Sequence, residues 1–361
     1  MKRRSFKLAP QKFSELLRRN LFVFVIFLAL ATIFRNGFSL YGLRWKQYNS
    51  GSNVELTCEY RDCGQLFISH NLEKFGYAFG AFSFFLLYIV FIVICVGIVW
   101  RQISMMKDFE TTKALMVLSL LPASAIVLQR FGTFDAIPLL MSIIGVLARS
   151  KFGASLAASL ILGTNPEAAI VSGVGITSLY FIVKNRVDSE IKLPRNTLWF
   201  GAIQVSMSAP LIALGLFDNT GGSAVEAILF VDSKNALAQL IASGPLLVFS
   251  WFGALWYVLI RILANFESKF KRHVYILIVG IGCLTLIASD GTRNSALGLT
   301  ALMVALLFSS AGCEQQRTLS KKNLVALYFI PVINIANFNL VLPFYQVLYI
   351  FGLARPILVT Q

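Results

Sequence analysis

Charge in this chain is sorted by position: between its apolar runs, every second connection is crowded with Lys and Arg, while the intervening ones carry most of the acids. Such an alternation calls for a fold that sends the two kinds of connection to opposite sides of a barrier. That is the pattern of a polytopic membrane protein with its basic loops in the cytoplasm. Counted from a cytoplasmic N-terminus, the inner connections hold 23 of the 32 basic residues and 7 of the 17 acids. Composition agrees, at 57% hydrophobic, 14% charged and a mean hydropathy of +0.72, with more apolar sequence than one soluble core needs. The net charge of +15 is then an inner-face excess facing anionic headgroups, and a nucleic-acid partner is rejected.

The expected fold is all-α: a polytopic helical bundle of about nine to eleven transmembrane spans, because lipid admits only helices or closed barrels and period-2 alternation is absent. Residues 1–20 read as a basic interfacial segment on the cytoplasmic side. Residues 21–361 read as one membrane domain, with outer loops near 44–75 and 218–236. Strong spans are predicted at Leu21–Phe34, Tyr77–Trp100, Thr197–Phe217, Leu237–Leu263 and Leu324–Tyr345. Ala114–Leu128, Ile137–Ala148 and Val274–Ala288 are shorter, about 18 to 23 Å of helix, so their polar ends are drawn to or below headgroup level. Gly153–Val183 is interrupted at Gly163–Glu167 and has cationic residues at both ends, which predicts either a tight hairpin or a re-entrant pair with Glu167 at the outer tip.

Four polar clusters reach the outer face on this layout: Arg35-Asn36, Gln129–Asp135, Asn165–Glu167 and Ser289–Asn294. Carboxylates and arginines held that close to hydrocarbon are expected to serve function. Asp290 or Ser289 can cap a helix starting near Thr292, whose free N–H groups and Arg293 would suit a phosphate; a capping Asp that merely pairs with Arg293 is the plainer alternative. Arg130 and Asp135 flank Phe131-Gly132-Thr133-Phe134, which could offer an aromatic face to a sugar or could be an interfacial turn with an ion pair. Glu167 after Pro166 is also an ordinary helix start.

Asn334, Asn337 and Asn339 are read as amides around a kinked last span. Cys58 and Cys63, in the first outer loop, are a candidate disulfide or two free thiols. Neither His70 nor His273 is placed to act as a buried relay, and there is no zinc spacing, Walker A motif, dinucleotide turn or nucleophile elbow. No metal and no cofactor is therefore expected.

The run Arg130–Leu140 and the Asp-x-Thr-Arg pattern of Asp290, Thr292 and Arg293, with Glu167 between them, resemble motifs of bacterial multi-pass proteins of cell-surface polysaccharide assembly. Thr164-Asn165-Pro166 stands where a His-containing version is expected, and the first outer loop offers Glu55, Glu59 and Asp62 without a diagnostic motif. The resemblance implies a membrane glycosyltransferase of the GT-C architecture in the bacterial plasma membrane. Its partners would be the bilayer, a polyprenyl-phosphate sugar donor and a glycan or lipid acceptor. Asp135, Asp290 and Glu167 would then be catalytic acids and bases, and Arg130 and Arg293 phosphate clamps. The alternatives are a secondary transporter or flippase of lipid-linked saccharide, or a polysaccharide polymerase.

Overall fold

A computed structural model of the chain describes residues 21–37, 67–106, 110–185, 191–217, 245–246, 248–264, 266–286, 291–330, 332, 334–336 and 339–341. The basic N-terminal segment, Cys58 and Cys63, the 218–236 loop and Asp290 lie outside these residues. Within them the fold is helical apart from one short ribbon. The helices are α1 (Leu21–Asn36), α2 (Phe67–Ser104), α3 (Thr111–Ser119), α4 (Pro122–Gln129), α5 (Ala136–Leu147), α6 (Lys151–Leu162) and α7 (Pro166–Lys184). They continue with α8 (Thr197–Phe217), α9 (Trp256–Ala264), α10 (Ser268–Leu286), α11 (Gly291–Leu307), α12 (Ser310–Thr318) and α13 (Lys321–Tyr328). The strands β1 (Asn334–Ala336) and β2 (Asn339–Val341) pair antiparallel, Ile335 opposite Leu340.

Two stretches, Lys74–Ser104 and Pro166–Lys184, are long and apolar enough to cross a membrane. The number rises to four if the bent pairs α3–α4 and Ser295–Leu307 with α12 are each one span. These helices fit a membrane protein. The surface of α2 does as well, because Phe79, Phe82, Leu86, Val90, Val93 and Ile94 are all exposed, an outward apolar area that suits lipid. Gly80 takes φ 80, ψ 165 inside α2, a conformation open to glycine and closed to most residues, so α2 is two helical pieces joined at a kink.

The central element is α11. From Ser295 to Leu307 it is buried, and it packs against α4, α5, α7 and α10. Its small residues Ala296, Ala301 and Ala305 alternate with Leu297, Leu302 and Leu306, which lets neighbours approach on every side. Helices α7 and α8 cross closely: a Cβ built on Gly201 would lie 2.7 Å from Thr177 Oγ1, and one on Gly173 2.8 Å from Gln204 Cβ. Buried Ser172 donates to Gln204 Oε1 across this contact at 3.4 Å.

Local chemistry explains where helices stop. Pro122, first residue of α4, cannot donate a backbone hydrogen bond and forces Leu121 out of the helical region (φ −59, ψ 143). The Ala114–Leu128 run is therefore two helices bent by 60°. The Gly153–Val183 segment is a helix–turn–helix, which fits the tight hairpin and the re-entrant pair alike. Ser150 caps α6, the chain turns through Gly163–Asn165, and Asn165 caps α7 by accepting from the Ala168 amide at 2.8 Å.

Two predicted spans are corrected. Leu237–Leu263 is not one helix in its described part, because Trp251–Leu255 forms a tight turn with Gly253 at φ +53, and α9 adds only nine residues. Leu324–Tyr345 is not one helix in its described part either. Helix α13 ends at Tyr328, and past Pro331 in sequence Asn334 and Asn339 take part in the ribbon, an extended path that β-branched Ile335 and Val341 favour. For Asn334 and Asn339 the reading as amides around a kinked helix falls with it, and Asn337 lies outside the described residues.

Candidate functional site

Three helices fix the geometry of the candidate site. Asn196 donates through Nδ2 to the Ala148 carbonyl at 2.9 Å, fastening the C-terminal end of α5 to the segment that opens α8. The Ser310 amide donates to Lys192 O, and the Lys192 amide donates to Ser310 Oγ, both at 2.9 Å, fastening the C-terminal end of α11 to the same segment. The C-terminal ends of α5 and α11 therefore gather around 191–196, and α11 packs against both α5 and α7. Their N-terminal ends lie at the opposite end of the bundle, bringing Asp135, Glu167 and the start of α11 with Arg293 to one side.

Depth follows from length. Helix α5 has 12 residues and α7 has 19. At 1.5 Å per residue the difference is roughly 10 Å, so Asp135 starts nearer the middle of the bundle than Glu167. The positive ends of the α7 and α11 dipoles point to the same side.

Asp135 is 4% exposed and sits in the turn between α4 and α5. Its Oδ2 is 3.8 Å from Arg130 Nη1 and accepts from Thr133 Oγ1 at 3.3 Å. It occupies the N-cap position of α5 without capping it, so its oxygens serve the turn. Gly132, at φ 93, gives the turn its left-handed step. From α2, Tyr88 donates through its hydroxyl to Thr133 O at 2.7 Å and packs edge-on to Phe131 with ring centres 4.7 Å apart. Phe85 meets Phe131 from the other side at 5.6 Å. The Phe131 ring is thus buried packing, which leaves the half-buried Phe134 as the more open aromatic of the stretch.

Glu167 differs from Asp135. It is half-buried in the first turn of α7, Asn165 does the capping in its place, and among the described residues it has no hydrogen-bond or ion-pair partner. Arg293 lies in the first turn of α11, where only its backbone position is described. The structure thus brings Arg130 to Asp135 directly and Glu167 and Arg293 to the same end.

The Arg35-Asn36 cluster joins the Asp135 turn from the side. Asn36 is fully buried, donates through Nδ2 to Ser124 Oγ at 3.1 Å, and its carbonyl accepts from Gln129 Nε2 at 2.6 Å. Sequence reading missed the partners that place these groups, Tyr88 and Tyr328. The hydroxyl of Tyr328 meets Ser119 Oγ and donates to Met116 O at 3.2 Å. A tyrosine inside an apolar run was the available signal, since its hydroxyl needs a partner when buried.

At the opposite end the basic connections are laced together. Lys113 donates to the carbonyls of Gln316 and Arg317 at the end of α12, and Glu110 pairs with Lys321 at 2.5 Å and Lys113 at 3.6 Å. Burial alone would raise the Glu110 pKa. The hydrogen bonds from Lys321 and Thr112 and the charges of Lys321 and Lys113 outweigh it and hold the carboxyl below its usual range. Among the described residues no group of three or more His, Cys, Asp and Glu could hold a metal ion, and Cys95, Cys283 and Cys313 form no disulfide.

Comparison with protein-family models, with curated proteins and with solved structures gives no match.

Proposed function

We propose that this protein is a bacterial plasma-membrane glycosyltransferase. In this reading it moves a sugar from a polyprenyl-phosphate carrier to an envelope glycan or lipid at the outer leaflet. The observation that supports it is the gathering of an unpaired carboxylate, Glu167, an arginine-bound carboxylate, Asp135, and two helix N-termini at one end of an apolar bundle. The transfer breaks the bond from the anomeric carbon to the carrier phosphate and forms one to an acceptor hydroxyl, whose proton must go to a base. Glu167 is the better base of the two, because it has no cation to neutralise it and is the more open. Arg130 and Arg293, with the positive α11 terminus, then oppose the charge that develops on the departing phosphate. Asp135 holds Arg130 in place and so acts as a positioning residue, while Asp290, just before α11, keeps its assignment as a second carboxylate of the site.

The test is made in membranes from cells carrying each variant, with a radiolabelled polyprenyl-phosphate sugar. Glu167→Gln should lower transfer by about 10²-fold or more at unchanged protein level, the usual loss for a missing general base. Arg130→Lys should slow it less, because the charge remains and the planar fork is lost. Full transfer by Glu167→Gln would remove Glu167 from the mechanism, and uptake of the labelled carrier without any new glycosidic bond would show transport in place of transfer.

A further inference from the structure

The end of the bundle at which α6 and α8 begin carries cations that the candidate site does not use. Asn196 donates to Ala148 O at 2.9 Å, which brings the chain at Arg149 next to the chain at Arg195. Lys151, the first residue of α6, turns its ammonium over the Trp199 ring of α8, 4.8 Å from the ring centre. That contact keeps the charge beside the helix start, where a free lysine stem could carry it away. The ring is itself held, because the indole N–H donates to Ser155 Oγ on α6 at 2.9 Å.

Arg149, Lys151 and Arg195 are all exposed, and among the described residues no carboxylate pairs with any of them. Asp188 and Glu190 lie outside the described residues, but Arg149, Lys151, Lys184, Arg186, Lys192 and Arg195 outnumber them wherever they sit. Neither α6 nor α8 has an acid in its first turn, so the positive helix ends add to these cations and do not offset them. An anion relieves such a concentration of like charge.

The neighbouring surface narrows the kind of anion. Phe152 and Leu156, one turn apart on α6, are 78% and 51% exposed, and Trp199, bonded to Ser155 next to Leu156, is 43% exposed. An indole with its N–H satisfied and its ring open suits the boundary between headgroup and acyl chain. Free phosphate or an acidic peptide would answer the cations and leave the apolar strip uncovered. A phospholipid of net negative charge answers both.

We propose that Arg149, Lys151 and Arg195, with Trp199, form a discrete binding site for the headgroup of an anionic phospholipid, whose acyl chain lies along Phe152 and Leu156. The diffuse attraction that any basic face exerts on a bilayer holds no fixed number of lipids, whereas this site holds one. The proposal does not depend on sugar transfer.

The test uses the full chain purified in a maltoside detergent, with dioleoylphosphatidylglycerol or dioleoylphosphatidylcholine added at rising concentration. Native mass spectrometry counts the bound lipid, and brominated forms of the same lipids report its position by quenching tryptophan fluorescence. Phosphatidylglycerol should bind saturably, one molecule per chain, and quench a component of the emission that Trp199→Phe lacks. Phosphatidylcholine should bind about tenfold more weakly or worse. Arg149→Gln/Lys151→Gln should weaken phosphatidylglycerol binding by about tenfold or more, and because both residues are exposed the double variant keeps its fold. Arg272→Gln, which removes an exposed cation from the first turns of α10, should bind as the parent does, and so should Glu167→Gln, which separates this proposal from the catalytic one. Equal binding of the two lipids, parental affinity in the double variant, or an equal loss in Arg272→Gln would overturn it. Self-association that the double variant abolishes, without any response to phosphatidylglycerol, would overturn it as well and give the surface to a second copy of the chain.

Discussion

Single side chains decide how rigid the turn between α4 and α5 is. The Tyr88 hydroxyl reaches across from α2 to donate to Thr133 O, and among the described residues nothing else bonds that carbonyl. Tyr88→Phe keeps the ring against Phe131 and leaves the buried carbonyl unsatisfied, a loss of about 1 to 3 kcal/mol. Its expected signature is a lower thermal midpoint together with slower transfer, because the turn that carries Arg130 and Asp135 loosens; an unchanged midpoint would show that the hydroxyl is replaceable. The pairing within this turn was legible in sequence, since an Arg and an Asp five residues apart in so short a connection have few other partners. The direction of Phe131 was not. It depends on the left-handed step at Gly132 and on which residues of α2 come opposite, and neither leaves a mark in local composition.

Helices and their breaks follow a similar division. The α6–α7 helix–turn–helix could be read in advance because Gly163, Asn165 and Pro166 punctuate it and like charges flank it. The breaks at Trp251–Leu255 and after Tyr328 could not, because apolarity summed over a window is blind to backbone angles. Only Gly253 and Pro331 hinted at them. Close approach between helices is a further property that sequence conceals. A Cβ on Gly145 of α5 would stand 2.2 Å from the ring of buried Phe200 on α8. Gly145→Ala must displace that ring and is expected to destabilise by about 1 to 3 kcal/mol, measured by thermal unfolding in detergent. The double variant Gly145→Ala/Phe200→Leu should recover part of the loss, and a Gly145→Ala protein as stable as the parent would mean that α5 and α8 separate readily.

Taken as a whole, the molecule has one end tied by charge and, at the other, the end where Asp135 and Glu167 lie. The Glu110–Lys321–Lys113 group joins the connection before α3 to the one between α12 and α13. The Glu110 carboxyl has its pKa lowered by folding, so its contribution is fully present above the unfolded value of about 4.3 and disappears as pH falls through the lower folded value. Since Glu110 is nearly half exposed, the pair is worth only about 0.2 to 1 kcal/mol. Glu110→Gln should lower the midpoint slightly at neutral pH and low salt, with the difference fading in high salt and on acidification below about pH 4. A difference that persists under both conditions would assign the effect to packing.

The fastening of α5 and α11 to residues 191–196 has a mechanical meaning. Helices held together at one end behave as tines set in a common handle: a small change of tilt at the handle becomes a larger change of spacing at the tips. Asn196 and Ser310 thus govern the gap between Asp135 and the start of α11 without standing near either. Whatever enters between those tips must work against a stiffness set at the far end of the bundle.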